Sequence, residues 1–186
     1  KAPVNGISAY DLTIKGEGSL AVGARASCIK TDTLTVESGK IDTYIKTAED
    51  EIASFIGVGF WVQELFTING GDIGYLDTTN VLNVTGGAIK SLYVGVADYN
   101  PEKQSTFIAG GNISDFVVAD DSDNKVAISG GTFGCDIDSQ YLADGFELTY
   151  DENTGAYSAV ASVVSDGLKV IATSSSRIRD LVIRDN

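Results

Sequence analysis

A repeated pattern of eight residues constrains the fold of this chain more than any other feature of its sequence. The pattern is apolar-x-apolar-x-Gly-Gly-x-apolar, and residues 66–73 and 82–89 show it most clearly. The segment 126–133 also follows the pattern, and three further segments follow it with small departures, namely 12–20, 34–41 and 106–113. The segment 34–41 has Ser in place of the first glycine, and 12–20 carries one extra residue. Six such segments in one chain indicate a repeat architecture, in which equivalent segments stack on one another.

The alternation of apolar residues within each segment predicts short strands that bury one face. The Gly-Gly pair then allows a sharp bend, because glycine accepts positive φ without steric cost. The next inward residue follows at once, and three residues later four of the segments place another large side chain. These side chains are Tyr44, Leu76, Leu92 and Phe116.

The spacing of the repeats selects the type of architecture. The second glycines of the five ungapped segments lie 16 to 32 residues apart, as in solenoids, and helical periodicity is nearly absent. We therefore predict an all-β fold, a single-stranded right-handed parallel β-helix of about six coils with a C-terminal β-hairpin cap. The hand follows from the strong preference of parallel crossovers for the right-handed form. A β-sandwich is the alternative, and the Leu-rich pattern of a horseshoe repeat is missing.

Three regions are predicted along the chain. Residues 1–135 form the coils, 136–165 form a capping turn and a β-hairpin, and 166–186 form a tail or an edge strand. The hairpin is indicated by alternating runs on both sides of the polar turn at 151–155. A cap is expected because the open end of a solenoid exposes unpaired strand edges.

Composition excludes several classes of function. The net charge is −13 and the isoelectric point is about 4.2, which argues against nucleic acid or an anionic membrane as a partner. The sequence has no apolar run of about 18 residues, so membrane insertion is not expected. It also has no His, so a Ser-His-Asp triad and a His-ligated metal are excluded. Because the chain begins with Lys1 rather than Met, we expect a mature product or an excised fragment.

The two cysteines are expected to remain separate thiols. Cys28 lies in the first coil and Cys135 follows the last repeat. Five steps of about 4.8 Å would put them about 24 Å apart. A disulfide needs Cα atoms within about 7 Å, so no internal bridge is predicted.

Aromatic side chains on the outside of the coils are the candidate ligand-binding residues. Sugar rings stack on such groups, and the candidates are Trp61, Tyr75, Tyr93 and Tyr99. Strand alternation points Tyr75 and Tyr93 outward, because their neighbours Leu76 and Leu92 point inward. The insertion before Trp61, at 47–55, resembles a capping box and predicts a short helix or an excursion loop.

A group of carboxylates marks a weak candidate calcium site. Asp120, Asp121 and Asp123 lie in one short loop, and calcium prefers clustered oxygen ligands. The loop does not follow the twelve-residue calcium-binding pattern, and a solvated turn is the preferred interpretation. No cofactor is predicted.

The segments 12–14, 66–71 and 126–133 resemble repetitive β-helical domains of bacterial surface proteins, which are often described as carbohydrate-binding. The stretch 128–155 resembles a terminal motif of large exported proteins from gut Gram-positive bacteria. The resemblance covers roughly residues 10–160 and carries over no binding residue. It implies a non-catalytic module that is extracellular or at the cell surface, where it binds glycans or serves as an adhesive stalk.

Two other functions compete with this expectation. One is a structural assembly protein on a virion surface, such as a bacteriophage fibre or capsid-decoration protein, that contacts other chains through 174–186. The other is a polysaccharide-degrading enzyme. Catalysis is disfavoured because Asp120 and Asp121 are adjacent and would point to opposite faces of a strand.

Overall fold

The computed structural model describes residues 3–45, 59–78, 80–95, 105–120, 124–165 and 168–171. Within these ranges the chain is all-β, with one turn of 3-10 helix at Ser139–Tyr141. The fourteen strands are β1 (Asn5–Ser8), β2 (Asp11–Ile14), β3 (Ser19–Ala24), β4 (Ser27–Val36), β5 (Lys40–Ile45), β6 (Phe60–Ile68), β7 (Asp72–Thr78), β8 (Val81–Val84), β9 (Ala88–Val94), β10 (Ser105–Val118), β11 (Lys125–Phe133), β12 (Phe146–Asp151), β13 (Ala156–Ser165) and β14 (Leu168–Ile171).

The chain alternates between two rows of parallel strands. In the first row, β1 and β2 both pair with β4, which is followed by β6 and β8. In the second row, β3 is followed by β5, β7 and β9. The first half of β10 lies beside β8 and its second half beside β9, and β11 pairs with β10. The prediction of an all-β chain built from stacked parallel strands is therefore confirmed.

The register of these pairs places equivalent repeat positions in columns that share one core. One column is Leu12, Leu34, Phe66, Leu82, Thr106 and Val126; the next is Ile14, Val36, Ile68, Val84, Ile108 and Ile128; the third is Leu20, Ile41, Ile73, Ile89, Ile113 and Phe133. From the second repeat onward, the last two columns are at most 1% exposed. Each such side chain contributes about 1.5–3 kcal/mol through burial.

The side chains three residues beyond each corner are less uniform than the repeat predicts. Leu76 and Leu92 are fully buried and Phe116 is nearly so. Tyr44 is only half-buried. The cause is that β5 and β7 pair only at their beginnings, through Lys40 and Ile41, so the column is interrupted before it reaches Tyr44.

The two glycines of each corner are required for different reasons. A Cβ on the first glycine, as at Gly86, would collide with the carbonyl oxygen of Asn69 in the preceding repeat. The second glycine, Gly87, has a φ of 85°, which side chains rarely adopt. The corner that contains Ser38 in place of the first glycine stacks on the corner of the first repeat, at 16–18, which is one residue longer. There the Gly16 N–H donates a hydrogen bond of 2.9 Å to Ser38 Oγ.

Antiparallel strands cover the C-terminal end of the stack. β12 and β13 form the hairpin expected around 151–155, and β13 pairs with the end of β11 through Thr132 and Phe133. Before the hairpin, Leu142 forms a bridge to Ile128. Strand β14 then pairs antiparallel with β13. The domain boundaries proposed from the sequence stay predictions, and 172–186 lie outside the described residues.

The cysteines are free, as predicted. Cys28 is fully buried and its thiol donates to the Tyr44 carbonyl at 3.2 Å, while Cys135 is half-buried. Burial raises the pKa of Cys28. A buried thiol of this kind behaves as a small apolar group.

Replacement of a first-position glycine is expected to destabilise the stack. Gly86→Ala should lower the free energy of unfolding by about 1–3 kcal/mol, because the added methyl group meets backbone that cannot move without disturbing the parallel pairs. Chemical denaturation measures this change. The matched control is Gly18→Ala, since a Cβ there meets nothing within 4 Å and φ is not positive. Equal losses in the two variants would contradict the steric explanation.

A buried hydroxyl in the first column offers a stabilising substitution. Thr106 is fully buried, and its Oγ1 has no hydrogen-bond partner among the described residues. Thr106→Val should raise the free energy of unfolding by about 1 kcal/mol, because the methyl group needs no hydrogen bond. Thermal and urea unfolding measure the gain. Thr67→Val, at a half-buried position facing outward, is the control and should give no comparable gain.

Candidate functional site

The candidate site lies on the outer side of the second row and consists of Tyr75, Asp77 and Tyr93. We call these three residues the tyrosine site. Asp77 of β7 is directly in register with Tyr93 of β9, at the spacing of about 4.8 Å between paired strands. The fully buried Leu76 and Leu92 next to them fix the outward direction of the flanking side chains. The stacking of β7 on β9 therefore brings together two of the aromatic residues that the sequence proposed.

Asp77 holds a carboxylate in an unusual environment. Its Oδ1 is buried and has no hydrogen-bond donor among the described residues. Burial raises the pKa of Asp77 above its ordinary value. A buried and unpaired acceptor costs free energy, so this side chain opposes stability where it lies.

Gly95 makes room for this arrangement. A Cβ on Gly95 would lie 3.2 Å from Asp77 Oδ1 and 3.3 Å from Tyr93 Cε1. Those distances are tighter than nine in ten real Cβ contacts, so an added Cβ would displace its neighbours by a few tenths of an ångström. The missing side chain therefore lets the carboxylate and the ring edge lie side by side.

The three side chains also interact electrostatically. The pKa of Tyr75 is raised, first by burial and then by the charges of Asp77 and Tyr93. Tyr75 consequently keeps its proton more firmly than a free tyrosine and offers a neutral hydroxyl. The site combines two phenol groups with one carboxylate.

The surface continues beyond the three residues onto β10. Ser91, in register with Tyr75, donates a hydrogen bond of 3.2 Å to Asp115 Oδ2. Val117, in register with Tyr93, is an exposed apolar side chain. A ligand on the tyrosine site would therefore meet an apolar neighbour and a polar neighbour along the next strand.

The other aromatic candidates do not belong to this site. Trp61 is in β6 of the first row, where it is 38% exposed. The Lys30 ammonium lies 5.6 Å from the centre of the Trp61 ring, within the range of a cation–π interaction. Phe60, the residue before it, is buried in the core. Tyr99 lies outside the described residues, as does the insertion at 47–55.

The carboxylate loop is only partly described. Asp120 is exposed at the turn after β10, and Asp121 and Asp123 lie outside the described residues. In the part of the chain that the structure covers, no three His, Cys, Asp or Glu side chains are grouped to hold a metal ion. The calcium site stays a prediction. Among these described residues, no helix is both long and apolar enough to cross a membrane.

Reasoning from the sequence missed Asp77 and Lys30. A signal for Asp77 was present, because it follows the inward Leu76 and therefore points to the same side as Tyr93. The burial of Asp77, however, depends on neighbours in another strand. The position of Lys30 beside Trp61 likewise depends on the pairing of two strands.

Comparison with known proteins found none that is similar to this chain. A scan against protein-family models, a search of curated proteins and a search of solved structures each returned no match.

Replacement of Asp77 should change how stability depends on pH. Folding raises the pKa of Asp77 above its ordinary value of 3.8. Below pH 3.8 this carboxyl group is protonated in both the folded and the unfolded protein, so its burial involves no charge and the raised pKa costs no stability there. As the pH rises through the raised pKa, the folded state must bury a charge and loses stability. Asp77→Asn removes this charge and should gain stability relative to the wild type between pH 3.8 and neutral.

Urea unfolding across pH 3 to 7 checks this expectation. Asp72→Asn, which removes an exposed carboxylate from the same strand, reproduces the change in net charge. An equal shift in both variants would attribute the effect to net charge and contradict the role of burial.

Proposed function

We propose that the two rows of strands form a right-handed, single-stranded parallel β-helix of about six coils. The in-register columns support this arrangement, since each repeat contributes one residue to every column. The hand is supported by the preference of parallel crossovers for the right-handed form. Such a stack presents flat, rigid outer faces on which side chains occupy fixed positions.

On this scaffold, the chain acts as a non-catalytic module at a bacterial cell surface that binds glycans at the tyrosine site. The observation that carries the proposal is the pairing of β7 with β9, which places the Asp77 carboxylate beside Tyr93 and close to Tyr75. Sugar rings present apolar faces that pack on tyrosine rings, and their hydroxyl groups donate strongly to carboxylates. A saccharide therefore matches both kinds of group at this site.

The energetic cost of the site also supports a functional role. A carboxylate with a raised pKa beside two tyrosines lowers stability, and perturbed groups of this kind concentrate at functional sites. We propose binding rather than catalysis, because glycoside hydrolysis uses two positioned carboxyl groups and the tyrosine site contains one.

The net charge of the chain favours one class of glycan over another. A chain with a charge of −13 repels polysaccharides rich in uronic acids. Neutral glycans are therefore the proposed ligand class.

A binding screen tests this function. The intact chain should bind neutral glycans, and Tyr93→Ala and Tyr75→Ala should each weaken binding by about tenfold or more, because each removes a stacking surface. Isothermal calorimetry on the best ligand measures the loss. Tyr150→Ala is the control, since Tyr150 is an exposed tyrosine on the hairpin.

Other outcomes of the screen separate the alternatives. Loss of binding in Trp61→Ala but not in Tyr93→Ala would move the site to the first row and overturn the tyrosine site. An intact chain that binds no glycan would overturn the module itself and favour an assembly role. Light scattering after removal of 174–186 would then test whether the tail joins chains.

A further inference from the structure

The outer surface at the tyrosine site extends over three neighbouring strands. β7 pairs with β9, and β9 pairs with the second half of β10, with every position at the site in register. Buried side chains lie beneath this surface and turn their neighbours outward; they are Leu76, Leu92 and Phe116. Six outward side chains therefore occupy fixed positions in two columns. The first column is Tyr75, Ser91 and Asp115, and the second is Asp77, Tyr93 and Val117.

Three of these side chains form a line of apolar surface that crosses the strands. Tyr75 of β7, Tyr93 of β9 and Val117 of β10 each contribute one step of the line, which we call the apolar band. Paired strands are about 4.8 Å apart and residues about 3.3 Å apart along a strand, so the Cα atoms of Tyr75 and Val117 are about 12 Å apart. A band of this length offers packing area for more than one sugar ring.

Hydrogen-bond acceptors lie on both sides of the apolar band. Asp77 lies on one side, next to Tyr93. Ser91 and Asp115 lie on the other side, where the Ser91 hydroxyl donates a hydrogen bond of 3.2 Å to Asp115 Oδ2. A sugar chain that packs its apolar ring faces on the band carries hydroxyl groups along both of its edges. Those hydroxyl groups can donate to a carboxylate on either side.

The end of the apolar band on β10 is accessible to a ligand. Val117 is 44% exposed and Asp115 is exposed as well, whereas Tyr75 and Tyr93 are half-buried. A single exposed apolar residue needs no explanation, but Val117 continues a line of two aromatic rings. A ligand that stacks on the tyrosines can therefore continue onto Val117 and Asp115.

We propose that the ligand of the tyrosine site is a linear chain of at least three neutral sugars, which lies along the apolar band and across the strands. Two sugars stack on Tyr75 and Tyr93. The third packs on Val117 and donates a hydroxyl hydrogen bond to Asp115. A single sugar would leave the β10 end of the band unused. This inference rests on the glycan-binding function proposed above and specifies the form of the ligand.

Calorimetry of the full chain with oligosaccharides of increasing length tests this inference. The probes are β-1,4-linked gluco-, manno- and xylo-oligosaccharides, from the single sugar upward. In the series that binds, the affinity for the trisaccharide should exceed the affinity for the disaccharide by about tenfold or more. The reason is that the third sugar adds an apolar contact with Val117 and a charge-assisted hydrogen bond to Asp115.

Two variants locate the third sugar through the ratio of the trisaccharide and disaccharide affinities. Val117→Ser and Asp115→Asn should each lower this ratio to about threefold or less, because each removes one contact with the third sugar. The ratio would not change if a variant only loosened the fold, since both affinities would then fall together. Phe107→Ser, at an exposed position in the first-row half of β10, and Glu152→Gln, in the hairpin turn, are the matched controls and should keep the wild-type ratio.

The outcomes separate this inference from the function on which it rests. A chain that binds no glycan overturns both. Binding that depends on Tyr75 and Tyr93 but has equal affinity for the disaccharide and the trisaccharide overturns the linear ligand alone, and indicates a site for the end of a glycan. A ratio that keeps its wild-type value in both Val117→Ser and Asp115→Asn, or that falls equally in the controls, overturns the placement of the ligand along the apolar band.

Discussion

The stack depends on the close approach of one backbone to the next at the glycine corners. Each first glycine lies against a carbonyl oxygen of the preceding repeat, at a distance that leaves no room for a Cβ. This contact sets the spacing at which the flanking strands pair, and hence the register of the columns. Side-chain hydrogen bonds then follow the corner, from Thr85 to Asn69 and from Asn69 to Glu37. Apolar packing supplies most of the stabilisation, but the corners decide which side chains meet.

The tyrosine site is a product of that register. Asp77 and Tyr93 are 16 residues apart in the sequence and directly adjacent in space because β7 and β9 follow two successive corners. One rigid scaffold therefore positions the carboxylate and both phenol groups without a loop. The fully buried aliphatic columns behind the site offset the free-energy cost of the buried and unpaired Asp77 oxygen.

Much of the fold was predictable from the sequence, because its determinants are local. Alternation within eight residues identifies the strands, and the glycine pair identifies the corner. The half-burial of Tyr44 was not predictable, since it depends on where β5 and β7 stop pairing. For the same reason the sequence identified Tyr75 and Tyr93 by type and direction, but not the Asp77 carboxylate that lies beside Tyr93. Burial of Asp77 is set by Gly95 and Tyr93, which no period within one repeat reveals.

The hydrogen bond between Gly16 and Ser38 has a consequence for how such a chain can evolve. The longer corner at 16–18 and the serine of the next repeat fit only as a pair, since the other corners leave no space for a side chain there. Shortening the first corner would bring backbone against Ser38, and glycine would then be needed in its place. Corner length in one repeat therefore restricts residue type in the next, so that changes at the corners must be inherited in pairs. The outward residues between corners are free of this coupling and can diverge one at a time.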